Sequence, residues 1–108
     1  MASKKETLDF VLGQLTNIEG ISSRKMMGEY IIYYHNKVIG GIYDDRFLVK
    51  KTKGSLAILH DAIEEIPYDG AKPMLSMSDI IFDAHSSNIT LIENVFKAIY
   101  NDTPQKKK

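Results

Sequence analysis

The chain has 108 residues, of which 44% are hydrophobic and 26% are charged, as expected for one globular domain. Its 14 basic residues balance 14 acidic ones, and this disfavours an autonomous nucleic-acid-binding domain, which usually has a basic excess. The lack of cysteine excludes disulfides, thiolate nucleophiles and cysteine-based zinc sites, and it favours a cytoplasmic location. No apolar run is long enough for a signal-peptide core or a membrane span.

A first helix is predicted directly after the N-terminus. Ser3 and Glu6 have the spacing of a capping box, and Gly20 is a natural helix terminator. Between them an apolar stripe recurs every three or four positions, formed by Leu8, Val11, Leu12, Leu15 and Ile18. Gly13 interrupts this helix, and we expect it to permit the close approach of another element.

Residues 26–51 predict three short strands. Tight turns at His35-Asn36 and Asp44-Asp45 separate runs that are rich in β-branched and aromatic residues. Turns this short join antiparallel strands, so the segment predicts a meander. The Gly40-Gly41 pair predicts a bulge or a close backbone contact.

A second helix is predicted over residues 55–65, because Pro67 prevents its continuation. A strand follows over residues 73–78, and residues 80–82 fit either a strand or a buried loop. Ser86 or Ser87 is expected to cap a last helix that carries an apolar stripe from Ile89 to Ile99.

These elements predict an α+β fold of two layers, with helices packed on an antiparallel sheet. The expected order is helix, three strands, helix, one or two strands, helix. Residues 1–102 form the single predicted domain, and residues 103–108 are expected to be a disordered basic tail.

The strand over residues 30–34 is apolar or aromatic on both faces, unlike a strand with one wet face. Either the chain's own helices cover both faces, or one face meets a partner or a second copy in a homodimer. Tyrosine suits an interface because it joins a large apolar ring to a polar tip. The candidate partner-binding residues are Met26, Met27, Tyr30, Tyr33, Tyr34 and Tyr43.

No catalytic or metal-binding motif is evident. His35, His60 and His85 are too far apart in sequence for a local chelating pair, and turn or solvation effects explain the Asp44-Asp45 and Glu64-Glu65 pairs. No nucleophile elbow is present, and we expect no enzyme activity and no cofactor. Gly54-Ser55 opens the second helix after several lysines, which is a weak signal for an anion site.

Two alternative functions stay open. If the ends of the first and third predicted strands converge, the basic side chains there would bind nucleic acid, and the candidates are Arg24, Lys25, Lys50, Lys51 and Lys53. The other alternative is a small-molecule site in a crevice between sheet and helices, which requires a pocket of a few hundred Å³.

The run Arg24-Lys25-Met26-Met27-Gly28-Glu29-Tyr30, the hydrophobic hairpin after it and Asp45-Arg46-Phe47-Leu48-Val49-Lys50 resemble the N-terminal domain of TfoX-type competence regulators. Met74-Leu75-Ser76-Met77 resembles the short strand that precedes the last helix in that family. Met27 and Glu29 replace a usual Phe and a common Gly, which puts the packing at the start of the hairpin in doubt. The resemblance implies an α+β fold similar to secretion-chaperone-like domains, which are often dimeric. It also implies a regulatory role exerted through protein contacts in the bacterial cytoplasm.

Overall fold

The computed structural model describes residues 3–81 and 89–103. In these residues the elements are α1 (Lys5–Gln14), β1 (Ile21–Met26), β2 (Glu29–Tyr34), β3 (Lys37–Tyr43), β4 (Arg46–Val49), α2 (Lys53–Ile58), β5 (Glu64–Glu65), β6 (Met74–Ser76), α3 (Ser78–Ile81) and α4 (Ile89–Asp102). The predicted α+β class and order are confirmed, with two strands that were not predicted, β1 at the start of the meander and β5 before β6. Ile80 and Ile81, predicted to lie in a strand or a buried loop, belong instead to the short helix α3. The predicted Ser86 or Ser87 cap, His85, Phe82 and residues 104–108 of the predicted tail lie outside the described residues.

The described strands form one antiparallel sheet in the order β1-β2-β3-β4-β6-β5. Three two-residue turns join the first four strands, and their central residues have positive φ: Met27 and Gly28, His35 and Asn36, Asp44 and Asp45. This geometry is that of type I′ turns, whose twist matches the twist of the flanking strands. The turns predicted at residues 35–36 and 44–45 are therefore confirmed.

The Gly40-Gly41 pair has both predicted properties. The register between β2 and β3 shifts at Ile32 and Tyr33, which is the signature of a β-bulge. A Cβ atom on Gly40 would lie 2.2 Å from the backbone oxygen of Leu48, so only glycine permits this approach of β3 to β4.

The helices pack on one face of the sheet, which we call the core face. The fully buried side chains of this layer include Val11 and Leu15 from the N-terminal region, Ile32, Ile42, Phe47 and Leu75 from the sheet, and Val95, Phe96 and Ile99 from α4. On the opposite face, which we call the outer face, the loop of residues 66–73 lies over part of β3 and β4. Leu48, which belongs to the outer face by its register with Gly41, is also fully buried.

The predicted capping box at the first helix is wrong. Lys4 occupies the N-cap position, and its side chain makes no capping hydrogen bond to the helix. The Ser3 hydroxyl instead donates a hydrogen bond to Glu29 Oε1 at 2.6 Å and accepts one from the Asp45 backbone N–H at 3.0 Å. The N-terminus is thereby tied to the hairpins, and a residue distant in sequence supplies the cap.

That distant cap is Asp45. Its carboxylate oxygen Oδ1 accepts hydrogen bonds of 2.8 Å from the Lys4 backbone N–H and from the Thr7 hydroxyl. Because these bonds favour the charged form, and that from Lys4 is the strongest cause, the pKa of Asp45 is held below its usual value. The turn prediction for this aspartate was correct, and the tertiary structure gives it a second role as a helix cap.

The second predicted helix is shorter than expected. It ends at Ile58, and Glu64 and Glu65 pair with β6 as an edge strand. Their carboxylates form ion pairs with Lys51 and Arg46 respectively. The apolar stripe predicted a helix because it reflects only neighbours in the sequence. Strand β5 forms instead through contacts with β6, Lys51 and Arg46, which lie farther away in the chain.

Candidate interaction surface

Two of the predicted partner-binding tyrosines belong to the core. Tyr30 and Tyr34 lie on the core face of β2 and are 8% and 5% exposed. The ring of Tyr34 packs against Phe96 and Tyr100, at centroid distances of 6.0 and 5.9 Å. The assignment of Tyr30 and Tyr34 to a partner interface was therefore wrong. Both belong to the core, because the helices cover their face of the strand.

Tyr43 is also buried, on the outer face. Its ring lies across Gly41, where an added Cβ would be 2.9 Å from the ring, and it contacts Tyr68 at a centroid distance of 6.1 Å. Burial, with a smaller contribution from neighbouring Tyr68, raises the pKa of Tyr43 to about 12. The assignment of Tyr43 to a partner interface is likewise corrected, because residues 66–73 cover it.

The three other predicted residues lie at an open part of the molecule. Tyr33 and Ile31 are half-buried on the outer face of β2, and Met26 is 48% exposed at the end of β1. Met27 is 95% exposed in the turn that follows, with φ of 52°. A non-glycine residue rarely adopts this conformation, and a fully exposed methionine gains no burial in exchange.

Strand β1 forms one edge of the sheet. It pairs with β2 on one side, and in the described part of the chain no strand pairs with its other side. Because Met26 and Glu29 flank a two-residue turn, they exchange backbone hydrogen bonds, and alternation then turns the backbone groups of Ser23 and Lys25 away from β2. We refer to β1, with its outward backbone groups and the side chains of Ile31 and Tyr33 beside it, as the β1 edge.

The β1 strand and its open edge were not predicted from the sequence. Residues 22–25 are polar on both faces, and all are exposed. Without alternation of apolar and polar residues there is no strand signal in the sequence. Only pairing with the strongly β-forming residues of β2 reveals the strand.

The predicted basic residues fall into two groups. Arg24 and Lys25 lie on β1, and neither has an ion-pair partner within the described ranges. Lys50, Lys51 and Lys53 follow β4, which is three strands away, or about 14 Å at the usual strand spacing. Lys51 is also paired with Glu64 at 2.9 Å. The five residues therefore do not form one continuous basic patch.

The weak anion-site signal at Gly54-Ser55 has an internal explanation. The Gly54 backbone N–H donates a 2.7 Å hydrogen bond to the carboxylate of Asp102 at the end of α4. Thr52 and Ser55 form a reciprocal capping box at the same helix start. The backbone N–H groups of Gly54 and Ser55, which would hold an anion, already donate to Asp102 and Thr52. The bond to Asp102 also connects α2 to α4.

The other groups with chemical potential are dispersed. The His35 ring packs against Tyr34 and Tyr100, and the exposed His60 lies beside Asp61. Within residues 3–81 and 89–103, no group of three or more His, Cys, Asp and Glu side chains is placed to hold a metal ion. No helix in the same ranges is long and apolar enough to cross a membrane.

Two open clefts bear on the small-molecule alternative. One of about 350 Å³ lies between residues 58–63, Ser76, Ile80 and Leu91. The other, of about 410 Å³, lies on the outer face between the sheet and residues 67–74. Tyr68 and Lys72, which line the larger cleft, were not predicted as site residues, because no motif includes them.

No protein family model matches the chain. An uncharacterised 12.7 kDa protein in the trpE 5′ region of Spirochaeta aurantia is 30% identical to it over 84 residues. The alignment covers 78% of the present chain and 73% of that protein.

Proposed function

The chain belongs to the same family as the uncharacterised Spirochaeta aurantia protein, and we propose that it is a non-enzymatic interaction module that binds an extended, acidic segment of a partner protein along the β1 edge. The observation that carries this proposal is the edge itself. Six consecutive residues are held in strand conformation by β2 on one side and lack a neighbouring strand, in the described residues, on the other. Such an edge is a template for an added strand.

The charge of the edge favours an acidic partner. Arg24 and Lys25 point to opposite faces of β1, and neither has an ion pair with a described residue. A carboxylate opposite either one in an added strand would form a favourable cross-strand pair. Met26 and Met27 lie at the end of the same strand and are exposed, so an apolar residue fits beside them.

The size of the open surface favours a segment over a rigid protein face. Two strands of six residues span about 20 Å by 10 Å, or about 200 Å², whereas a stable protein pair buries about 800 Å² on each partner. Backbone hydrogen bonds along an edge supply affinity that this small apolar area does not.

A second copy of the chain is a poorer fit. Antiparallel pairing of two β1 strands centred on Arg24 or Lys25 would set like charges opposite each other, which is destabilising. Pairing centred on Ser23 would leave Arg24 opposite Ser22 and Lys25 opposite Ile21, so neither cation would gain a carboxylate. Nucleic acid is the runner-up. Its support is weakened by the zero net charge and by the separation of the basic groups across the sheet.

The cellular role that we propose follows the resemblance to TfoX N-terminal domains. We propose that partner binding at the β1 edge serves the regulation of competence-like genes in the cytoplasm. The fold class supports this proposal only at the level of architecture, and the resemblance itself stays a prediction.

The test uses two substitutions at one position. Ser23→Pro removes an outward N–H and blocks strand addition, while the ladder with β2 uses other groups and an edge strand tolerates proline. Ser23→Ala keeps the N–H and is the matched control. Seven-residue peptides displayed on phage are selected on the wild-type protein, and the enriched sequences are then measured as synthetic peptides against both variants.

We expect acidic peptides with one or two apolar residues to be enriched, to bind Ser23→Ala like wild type and to lose binding to Ser23→Pro. Equal binding to both variants, or no enrichment, would refute strand addition at this edge. Sedimentation across a concentration series and a single-stranded oligothymidine titration at low salt test the two alternatives. A dimer that Ser23→Pro dissociates, or oligothymidine binding that Arg24→Ala abolishes, would replace the proposal.

A further inference from the structure

The larger cleft has the size of a ligand site. It measures about 410 Å³, and pockets for small molecules typically measure about 300–1,000 Å³. Its floor is the outer face of β3 together with Met74, and its wall is the loop of residues 67–73. Strand β1 does not line it, so an inference about this cleft is independent of the β1 edge.

Aromatic and proline rings form the floor and wall. The Tyr43 ring is fixed because it lies across Gly41 and beneath the covering loop, whose Pro67 is buried. Tyr68 stands beside it at a centroid distance of 6.1 Å and is 62% exposed, which leaves much of its ring open to solvent. An exposed tyrosine ring next to a fixed one suits a planar ligand, because aromatic rings stack in offset or tilted arrangements.

The charge at the rim has one sign. Lys50, Lys51 and Lys72 line the cleft, and no carboxylate lines it. Lys51 is paired with Glu64, whereas Lys50 and Lys72 have no ion pair among the described residues. The Tyr43 hydroxyl is protonated at neutral pH, like any tyrosine hydroxyl, and is a hydrogen-bond donor; burial raises its pKa further, to about 12.

We infer that this cleft binds a small aromatic anion, with the ring against the exposed ring of Tyr68 beside the largely buried Tyr43, and with the anionic group on Lys50 and Lys72. The apolar floor excludes water from the ring, and the two unpaired ammonium groups provide charge-assisted donors to a phosphate or a carboxylate. Neither part of the ligand is sufficient alone, because the rim lysines are solvated and the apolar area is small.

The experiment titrates isotope-labelled protein with phenyl phosphate, benzoate, inorganic phosphate and phenol, and follows backbone amide shifts. We expect phenyl phosphate or benzoate to saturate, with shifts concentrated at Tyr43, Lys50 and residues 67–74. Inorganic phosphate has the anionic group without the ring, and phenol has the ring without the anionic group. Each is expected to bind at least about tenfold more weakly than the aromatic anions. The comparison of phenyl phosphate with benzoate identifies the preferred anionic group.

Variants then test the assigned residues. Lys50→Gln and Lys72→Gln should each weaken binding about two- to fivefold, as expected for partly solvated ion pairs, and the double variant should multiply the effects. Tyr68→Ala should weaken binding with little effect on the fold, because the side chain is exposed. Lys97→Gln, at an exposed position of α4 outside the cleft, is the control and should bind like wild type.

The inference is overturned by any of three results, each read from variants whose amide spectra show a folded protein. In the first, neither aromatic anion saturates the protein at about 10 mM. In the second, the amide shifts that the anions cause are confined to other surfaces. In the third, the Lys50→Gln, Lys72→Gln double variant binds the anion with unchanged affinity. None of them bears on peptide binding at the β1 edge, and loss of peptide binding there leaves this inference intact.

Discussion

Gly13 and Gly54 both lie in helices, and the structure predicts opposite results when each is replaced by alanine. Among the described residues, an added Cβ on Gly13 meets no atom within 4 Å, so the expectation that this glycine permits close packing was wrong. Gly13→Ala should therefore increase the free energy of unfolding by about 0.5–1 kcal/mol through helix propensity. With an unfolding entropy of about 2.1 cal/mol/K per residue over 108 residues, this raises Tm by about 2–4 °C.

Gly54→Ala should do the reverse. Its Cβ would lie 2.7 Å from Oδ2 of Asp102 and 2.9 Å from Cβ of Ala98, and both distances are shorter than van der Waals contact. The carboxylate can rotate away, but the Ala98 methyl group is fixed on α4, so α2 must shift. Overpacking of this kind costs about 1–2 kcal/mol, or about 4–8 °C in Tm.

Both variants are compared with wild type by circular dichroism, in thermal scans and in guanidinium titrations. The sign of the change in the free energy of unfolding tests the predicted packing, because helix propensity alone predicts that alanine stabilises both positions. A destabilised Gly13→Ala protein would mean that this face of α1 is covered. A Gly54→Ala protein as stable as Gly13→Ala would refute the contact between α2 and α4.

Four further predictions follow from the described contacts. In Gly41→Ala the added Cβ would lie 2.5 Å from the backbone oxygen of Tyr30 and 2.9 Å from the Tyr43 ring, so the variant should be less stable and the displaced ring should titrate below about 12. Urea denaturation and an ultraviolet phenolate titration of the folded protein measure the two effects, and an unchanged titration would contradict the ring position. Asp45→Asn should lower the free energy of unfolding at neutral pH. Because the pKa of Asp45 is lowered in the folded protein, the stabilisation by its carboxylate exists above the unfolded pKa of about 4 and is lost as the pH falls through the folded pKa. Denaturation curves of wild type and variant should therefore converge in acid, and a difference in stability that does not change with pH would contradict this role of Asp45. Met27→Asn should stabilise by about 0.5–1 kcal/mol in urea titrations, because asparagine tolerates positive φ better, and a loss of stability would show that Met27 makes a compensating contact. Phe96→Ala should cost about 3–5 kcal/mol by the same measurement, since the side chain is fully buried against Tyr34 and Phe47, and a cost below about 1 kcal/mol would exclude that packing.

Local signals sufficed where a segment carries its own periodicity or turn chemistry. The apolar stripe of α4 and the turns at residues 35–36 and 44–45 were predicted correctly, because helix periodicity and the tolerance of Asn and Asp for positive φ depend on neighbours in sequence. The glycine pair in β3 was interpreted correctly for the same reason.

Local signals failed where a distant partner decides the state of a segment. Polar residues 22–25 are a strand because β2 pairs with them, and Glu64-Glu65 is a strand because β6 does. Ser3 resembles a helix cap in sequence, yet Asp45 has that role because the hairpin of β3 and β4 places it beside α1.

The candidate surfaces divide in the same way. Composition, spacing and turn chemistry predict the α+β class and the hairpins that turn at residues 35–36 and 44–45, because these are local properties of the sequence. Only the tertiary structure decided that Tyr30, Tyr34 and Tyr43 are buried while Tyr33 borders an open edge, and that Tyr68 and Lys72 join Lys50 at one cleft. The physical reason is that burial and the convergence of charges depend on which elements cover a face, and contacts between residues far apart in sequence decide that covering.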